Sequence, residues 1–178
     1  MKKLLILFSL MILIQYSVKG QEVGAQSVYV ELGGAGLAYS FNYDFRFDKN
    51  DINSWGMRMG AGGWARNDSW GSEGLLTMPI QLNKLFGSHK HFFELGGGAT
   101  FVYFRDRYNN WNGGITERRN FSFILDTGDT PAFMGTLNFG YRRIPVDGGF
   151  TFKANLTPIF NQNGFWPLWV GVGFGYAF

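Results

Sequence analysis

Residues 168–178, LWVGVGFGYAF, set Leu168, Val170, Val172, Phe174, Tyr176 and Phe178 on one parity. Trp169, Gly171, Gly173, Gly175 and Ala177 take the other. In an extended chain successive side chains point to opposite faces, so this is a strand with one large apolar face and one mostly small face. Chain ends are usually polar and frayed unless a sheet ties them down. This stretch reads as strand to Phe178, and its pattern predicts the closing strand of a barrel that spans a membrane.

The same period of two recurs upstream. Phe150, Phe152, Ala154 and Leu156 interleave with Thr151, Lys153, Asn155 and Thr157. Phe133, Leu137, Phe139 and Tyr141 oppose Thr136, Asn138, Gly140 and Arg142. Phe93, Leu95, Gly97, Ala99, Phe101 and Tyr103 share a parity, and so do Tyr39, Phe41, Tyr43, Phe45 and Phe47. Runs of roughly ten alternating residues are the length a tilted membrane strand needs. Pro79, which cannot donate to a ladder, marks a local irregularity in the run 74–86.

The segment Gly33 to Gly36 admits two readings, a tight hairpin or a glycine bulge inside one long strand. A hairpin gives eight strands: 25–33, 36–47, 55–65, 74–86, 91–104, 131–143, 148–157 and 167–178. A bulge gives seven. An even count leaves both termini on one side, as single-chain bacterial barrels require, and favours the hairpin. Connections 48–54, 87–90 and 144–147 are then the short periplasmic turns, and 66–73, 105–130 and 158–166 the longer external loops. The expected fold is an all-β, eight-stranded antiparallel transmembrane up-and-down β-barrel over residues 21–178.

Residues 1–20, MKKLLILFSLMILIQYSVKG, carry the three parts of a secretory signal. Lys2 and Lys3 are the charged region, Leu4 to Ile14 the apolar one, and Val18 and Gly20 the small residues of a cleavage site after Gly20. The apolar run is short of the roughly 20 residues a membrane helix needs. The chain has no cysteine, so it has no disulfide framework. Loss of the signal takes Lys2, Lys3 and Lys19 from the 16 Lys and Arg and leaves thirteen against 13 acidic residues. A formally neutral chain lacks the basic surface that nucleic-acid binding needs.

The stretches VYVELGGAGLAYSFNYDFRF, LTMPIQLNKLFGSHKHFFELGGG, GTLNFGYRR, GGFTFKANLTPIF and the terminal GVGFGYAF cover most of the chain outside 105–130. In them the chain resembles the short outer-membrane β-barrel proteins of Bacteroidota. The resemblance implies an eight-stranded barrel in the outer membrane of a Gram-negative bacterium and carries no assigned activity. Phe174, Tyr176 and Phe178 look like the C-terminal signal read by the barrel assembly machinery.

The search for chemistry yields no catalytic, metal or cofactor site. His89 and His91 flank Lys90 on an expected periplasmic turn, away from outer-leaflet lipid and without a third metal ligand. The sequence LDTGDTP at 125–131 reads as turn chemistry. Asp44, Arg46, Arg58, Glu94, Arg142 and Lys153 fall on the polar parity and are expected inside. An eight-stranded barrel is just wide enough for its own side chains to fill it, so such charges must pair. Strand order makes Glu94 with Arg142, and Asp44 with Arg58, the expected pairs.

In the 105–130 loop, Arg105, Arg107, Arg118 and Arg119 are candidates for lipopolysaccharide phosphates, with Tyr108 and Trp111 for sugars or the interface. The equally open alternative is a solvated loop with Arg–Asp pairs. The leading functional expectation is a structural or surface-interaction barrel whose external loops contact lipopolysaccharide or other ligands. A small-solute channel and a lipid A-modifying enzyme are the alternatives. The oligomeric state is not legible.

Overall fold

The structure is a computed structural model that describes residues 24–109, 114–145 and 147–178. The expected signal peptide and Trp111 lie outside these residues. Among the described residues thirteen strands occur in the order β1 (Gln26–Gly33), β2 (Tyr39–Arg46), β3 (Trp55–Asn67), β4 (Gly71–Ser88), β5 (His91–Asn109), β6 (Ile115–Arg118), β7 (Asn120–Ser122), β8 (Asp126–Asp129), β9 (Ala132–Arg143), β10 (Gly149–Leu156), β11 (Ile159–Asn161), β12 (Gly164–Trp166) and β13 (Val170–Ala177).

Eight of them close a barrel. Each neighbouring pair in the order β1, β2, β3, β4, β5, β9, β10, β13 is antiparallel. β13 then returns to β1 with Ser27 opposite Ala177 and Gly33 opposite Gly171. Beyond β13, the Phe178 N–H donates to Gln26 O at 2.9 Å and the Gln26 N–H to Phe178 O at 3.1 Å. The last residue is therefore part of the seam, and no barrel edge is left unpaired.

The faces are those of a protein turned inside out. Val28, Val30, Phe41, Met59, Ile80, Leu82, Leu95, Phe133, Phe174 and Tyr176 point outward and are exposed, while Ser27, Glu31, Asn42, Asp44, Gln81, Thr136 and Asn155 are buried inside. Apolar outside and polar inside is stable only when the outer solvent is lipid. Pro79 faces the lumen. Between the pairs Met59–Ile80 and Gly62–Thr77 the β3–β4 ladder is interrupted, yet the register does not shift.

Gly33 to Gly36 resolves as a hairpin between β1 and β2. Gly34–Gly36 forms a 3-10 turn whose three residues are all buried. It tucks into the barrel mouth instead of standing above it. Gly34 has φ +62, and a Cβ there would lie 2.5 Å from the Glu31 carboxylate, so only glycine fits. Leu37 closes the turn at φ 68, an uncommon conformation for a branched side chain.

Three expected loops are largely strand. β3 and β4 run out to Asn67 and Gly71, leaving residues 68–70 as the turn. β5 runs to Asn109 and pairs with β6. β10 resumes after Pro158 as β11, which pairs with β12 and with β9 in unbroken register. The sequence hides these extensions because charged residues replace apolar ones on both faces above the lipid. Arg66, Glu73, Asp106 and Arg118 continue the ladder without the apolar alternation that marks a membrane strand.

A closed ladder resists detergent. The unheated protein is expected to run faster than the boiled protein on SDS gels, and Gly34→Leu to lower the temperature at which the fast band disappears.

Candidate functional site

The chemistry of the chain gathers in two places: the lumen, and the strand wall above it on the side of β3, β4, β5 and β6. All six charged residues expected inside lie there, each almost fully buried. Two further residues join them, Glu31 and Tyr29, with Glu31 0% exposed.

Their partners are longer-range than strand adjacency suggests. Arg58 stands directly opposite Asp44 in the β2–β3 ladder, yet its two terminal nitrogens go to Glu31 on β1. Its Nε donates to Asn42 Oδ1 at 3.0 Å, and Nη1 also reaches Gln81 Oε1 at 3.1 Å. The expected Asp44–Arg58 pair does not form. Arginine extends past its opposite neighbour to a carboxylate that it can grip with both arms.

Asp44 turns instead to Arg46 at 2.6 Å and, across the lumen, to Arg142 at 3.0 Å. It also accepts from Asn83 Nδ2 at 2.6 Å. Glu94 accepts from Asn138 Nδ2 at 2.5 Å, Lys153 Nζ at 3.0 Å and Arg142 Nη1 at 3.4 Å. Three carboxylates thus face four cations. The ring of Tyr29 sits among three of those cations, with Lys153 Nζ 5.1 Å, Arg142 Cζ 5.5 Å and Arg58 Cζ 5.6 Å from its centroid. A π face attracts cations, most strongly where water is excluded.

Apolar layers close both ends of this network. Toward the loops, Leu37, Leu75, Val102, Phe104, Met134 and Ile159 pack together, with Phe121, Ile124, Leu125 and Trp169 laid against them. Toward the turns, Leu85, Phe92, Ile144 and Ala177 form a second layer with Ile52. The 34–36 turn completes the upper seal. Thr77 Oγ1 donates to Gly36 O at 3.0 Å, Thr100 Oγ1 to Ala35 O at 2.7 Å and Trp169 Nε1 to Gly34 O at 2.9 Å.

On the wall, the four candidate arginines divide. Glu117 accepts from Arg105 at 2.9 Å and from Arg107 and Arg119 at 2.7 Å each. Hydrogen bonds from Arg107, Arg105 and Arg119 hold its carboxyl down at about 2. A depressed carboxyl contributes stability that is present above its ordinary value and is lost as pH falls through about 2, so the clasp persists in mild acid. Arg118 belongs to the other face, 3.4 Å from Asp106 and above the Phe104 ring. Two carboxylates therefore hold four guanidinium groups, a local excess of positive charge. The LDTGDTP stretch, expected as a turn, is mostly strand β8 paired with β7, and within it Asp126 Oδ1 accepts from the Gly128 N–H at 2.7 Å.

His89 is an exposed turn residue, and the ring of His91 meets Tyr141 OH at 2.7 Å on the outer surface. Among the described residues no cluster of three His, Cys, Asp or Glu is arranged to hold a metal ion.

Glu31 and Tyr29 escape the sequence reading, though Val28, Val30 and Leu32 on the opposite parity would have put both inside. A strand of only eight residues next to an ambiguous turn obscured them. Three partners converge on Glu94, so Glu94→Ala is expected to leave buried cations uncompensated and to cost about 3–5 kcal/mol. Glu117→Ala is expected to move the denaturant midpoint far less, because its partners stay in water.

No family model and no curated protein matches the chain. Among solved structures, the N-terminal β-barrel domain of Pseudomonas aeruginosa OprF is similar at a TM-score of 0.48 and 13% identity, over 86% of this chain and 95% of that one.

Proposed function

We propose that this chain is a non-conducting structural barrel of a Gram-negative outer membrane, of the short kind it resembles in Bacteroidota. In this reading residues 1–20 export it and are removed after Gly20. The barrel assembly machinery recognises Phe174, Tyr176 and Phe178, and the mature barrel presents its strand wall outside the cell. Arg105, Arg107 and Arg119 then meet lipopolysaccharide phosphates from the outer face of the wall.

One observation carries the reading: a charged lumen whose groups pair with one another between two apolar layers. A pore needs a continuous wet path, and these side chains fill the path that eight strands enclose. This counts against a small-solute channel. Lipid-modifying catalysis would need a base beside a nucleophile on the lipid side of the wall. The two histidines stand at the turn end, away from that wall.

The arginine contacts have a physical basis in the Glu117 clasp. Three guanidinium groups on one carboxylate leave a net positive cluster, and guanidinium groups bind phosphate oxygens with paired hydrogen bonds. In planar bilayers the purified protein is expected to give no conductance steps. Reproducible steps from the wild-type chain would contradict the proposal.

A further inference from the structure

The outer face of the wall carries a notch of about 350 Å³ around Gly74, bordered by Ala65, Asn67, Ser72, Leu76 and Arg105. The register explains it. Gly74 lies between Ala65 on β3 and Arg105 on β5, so two small residues stand side by side, with Gly63 beside Leu76 in the row below and Asn67 beside Ser72 in the row above. A Cβ on Gly74 would find nothing nearer than 3.6 Å, so the space is open and not taken by a neighbour.

Its walls differ from bottom to top. Below, Leu76 belongs to the exposed apolar row that continues through Met78 and Ile80 toward the lipid. Above, Ser72 and Asn67 offer a hydroxyl and an amide, and Arg105 supplies charge. The guanidinium is only partly used. Its Nη2 goes to Glu117, while its Nε is a buried donor without a partner among the described residues. The Arg105 side chain as a whole keeps 36% of its surface exposed beside the notch, so its guanidinium has donors that an acceptor seated there can reach.

From this geometry we infer that the notch seats the head of a phosphorylated glycolipid. An acyl chain lies on Leu76, the saccharide meets Ser72 and Asn67, and a phosphate oxygen accepts from Arg105. The inference rests on the proposed arginine contacts with lipopolysaccharide and assigns them a place. A lipid is the occupant because the floor of the notch is continuous with the lipid-facing row. A phosphate is the head because the cluster of Arg105, Arg107 and Arg119 exceeds the charge of Glu117.

The test is native mass spectrometry of the folded protein in detergent, titrated with bis-phosphorylated lipid A, with the same lipid dephosphorylated, and with phosphatidylglycerol. Lipid A is expected to bind, with about a tenfold loss of affinity on dephosphorylation and a similar loss in Arg105→Gln. Gly74→Leu fills the notch and leaves every arginine in place, and it should abolish that advantage. Ala65→Leu fills the same space from the neighbouring strand and serves if Gly74→Leu lacks the fast-migrating folded band. Wild-type affinity in the folded filled variants, with binding lost in the Arg105, Arg107 and Arg119 triple glutamine variant, would overturn the notch and leave the arginine contacts standing. Undiminished binding in both would overturn the two together. Equal affinity for phosphatidylglycerol would overturn the assignment to a glycolipid.

Discussion

The Asp44–Arg142 contact joins strands on opposite sides of the barrel, and much else depends on contacts of its kind. A hydrogen-bond ladder connects only neighbours. The charged groups of the lumen bridge further: Glu31 of β1 to Arg58 of β3, Glu94 of β5 to Lys153 of β10, Asp44 of β2 to Arg142 of β9. A desolvated charge is tolerable only with its partners in place. Register in every one of these strands is therefore constrained twice, by the ladder and by the need to deliver each charge to a partner across the lumen. A slip of one residue would send Glu31 or Lys153 into the lipid.

This polar centre also accounts for the layers above and below it. Water reaching the network would weaken each pair by raising the local dielectric. The inward turn at 34–36 and the strands at 120–129 cover the mouth, while Phe92 and Leu85 cover the turn end. The first connection is short because it is part of the seal. The opposite side of the mouth rises instead, since β3, β4, β5 and β6 are long enough to leave the lipid. The barrel is consequently lopsided, and its tall side carries the exposed arginines and the notch.

Much of this was legible in the chain. Strict alternation from Leu168 to Phe178, and again from Phe150 to Leu156, reads as barrel strand because lipid outside and a packed lumen inside leave no other side-chain pattern. Six of the inward charges were readable from parity, while Glu31, beside the ambiguous turn, was not. Nor were their partners, because parity gives the face of a side chain and says nothing of how far an arginine reaches. Arg58 opposite Asp44 looks paired on paper and binds Glu31 in space. The strands above the membrane were unreadable for a different reason. Residues such as Arg66 and Asp106 answer to water on both faces, so the period of two loses its apolar mark while the hydrogen bonds continue. The inward fold of Gly34 depends on the Glu31 carboxylate beside it, a contact that no local pattern encodes.

The central claim is a closed barrel with lipid outside and a sealed, dry lumen inside. Spin labels placed singly along β10 test it most directly, with accessibility measured to oxygen, which partitions into lipid, and to a water-soluble nickel chelate. The account predicts that positions 150, 152, 154 and 156 are accessible to oxygen, and that positions 151 and 155 are shielded from both reagents. Access of the nickel chelate to 151 and 155 in the folded protein would mean a wet lumen and contradict the account. Uniform access along the strand would contradict the barrel itself.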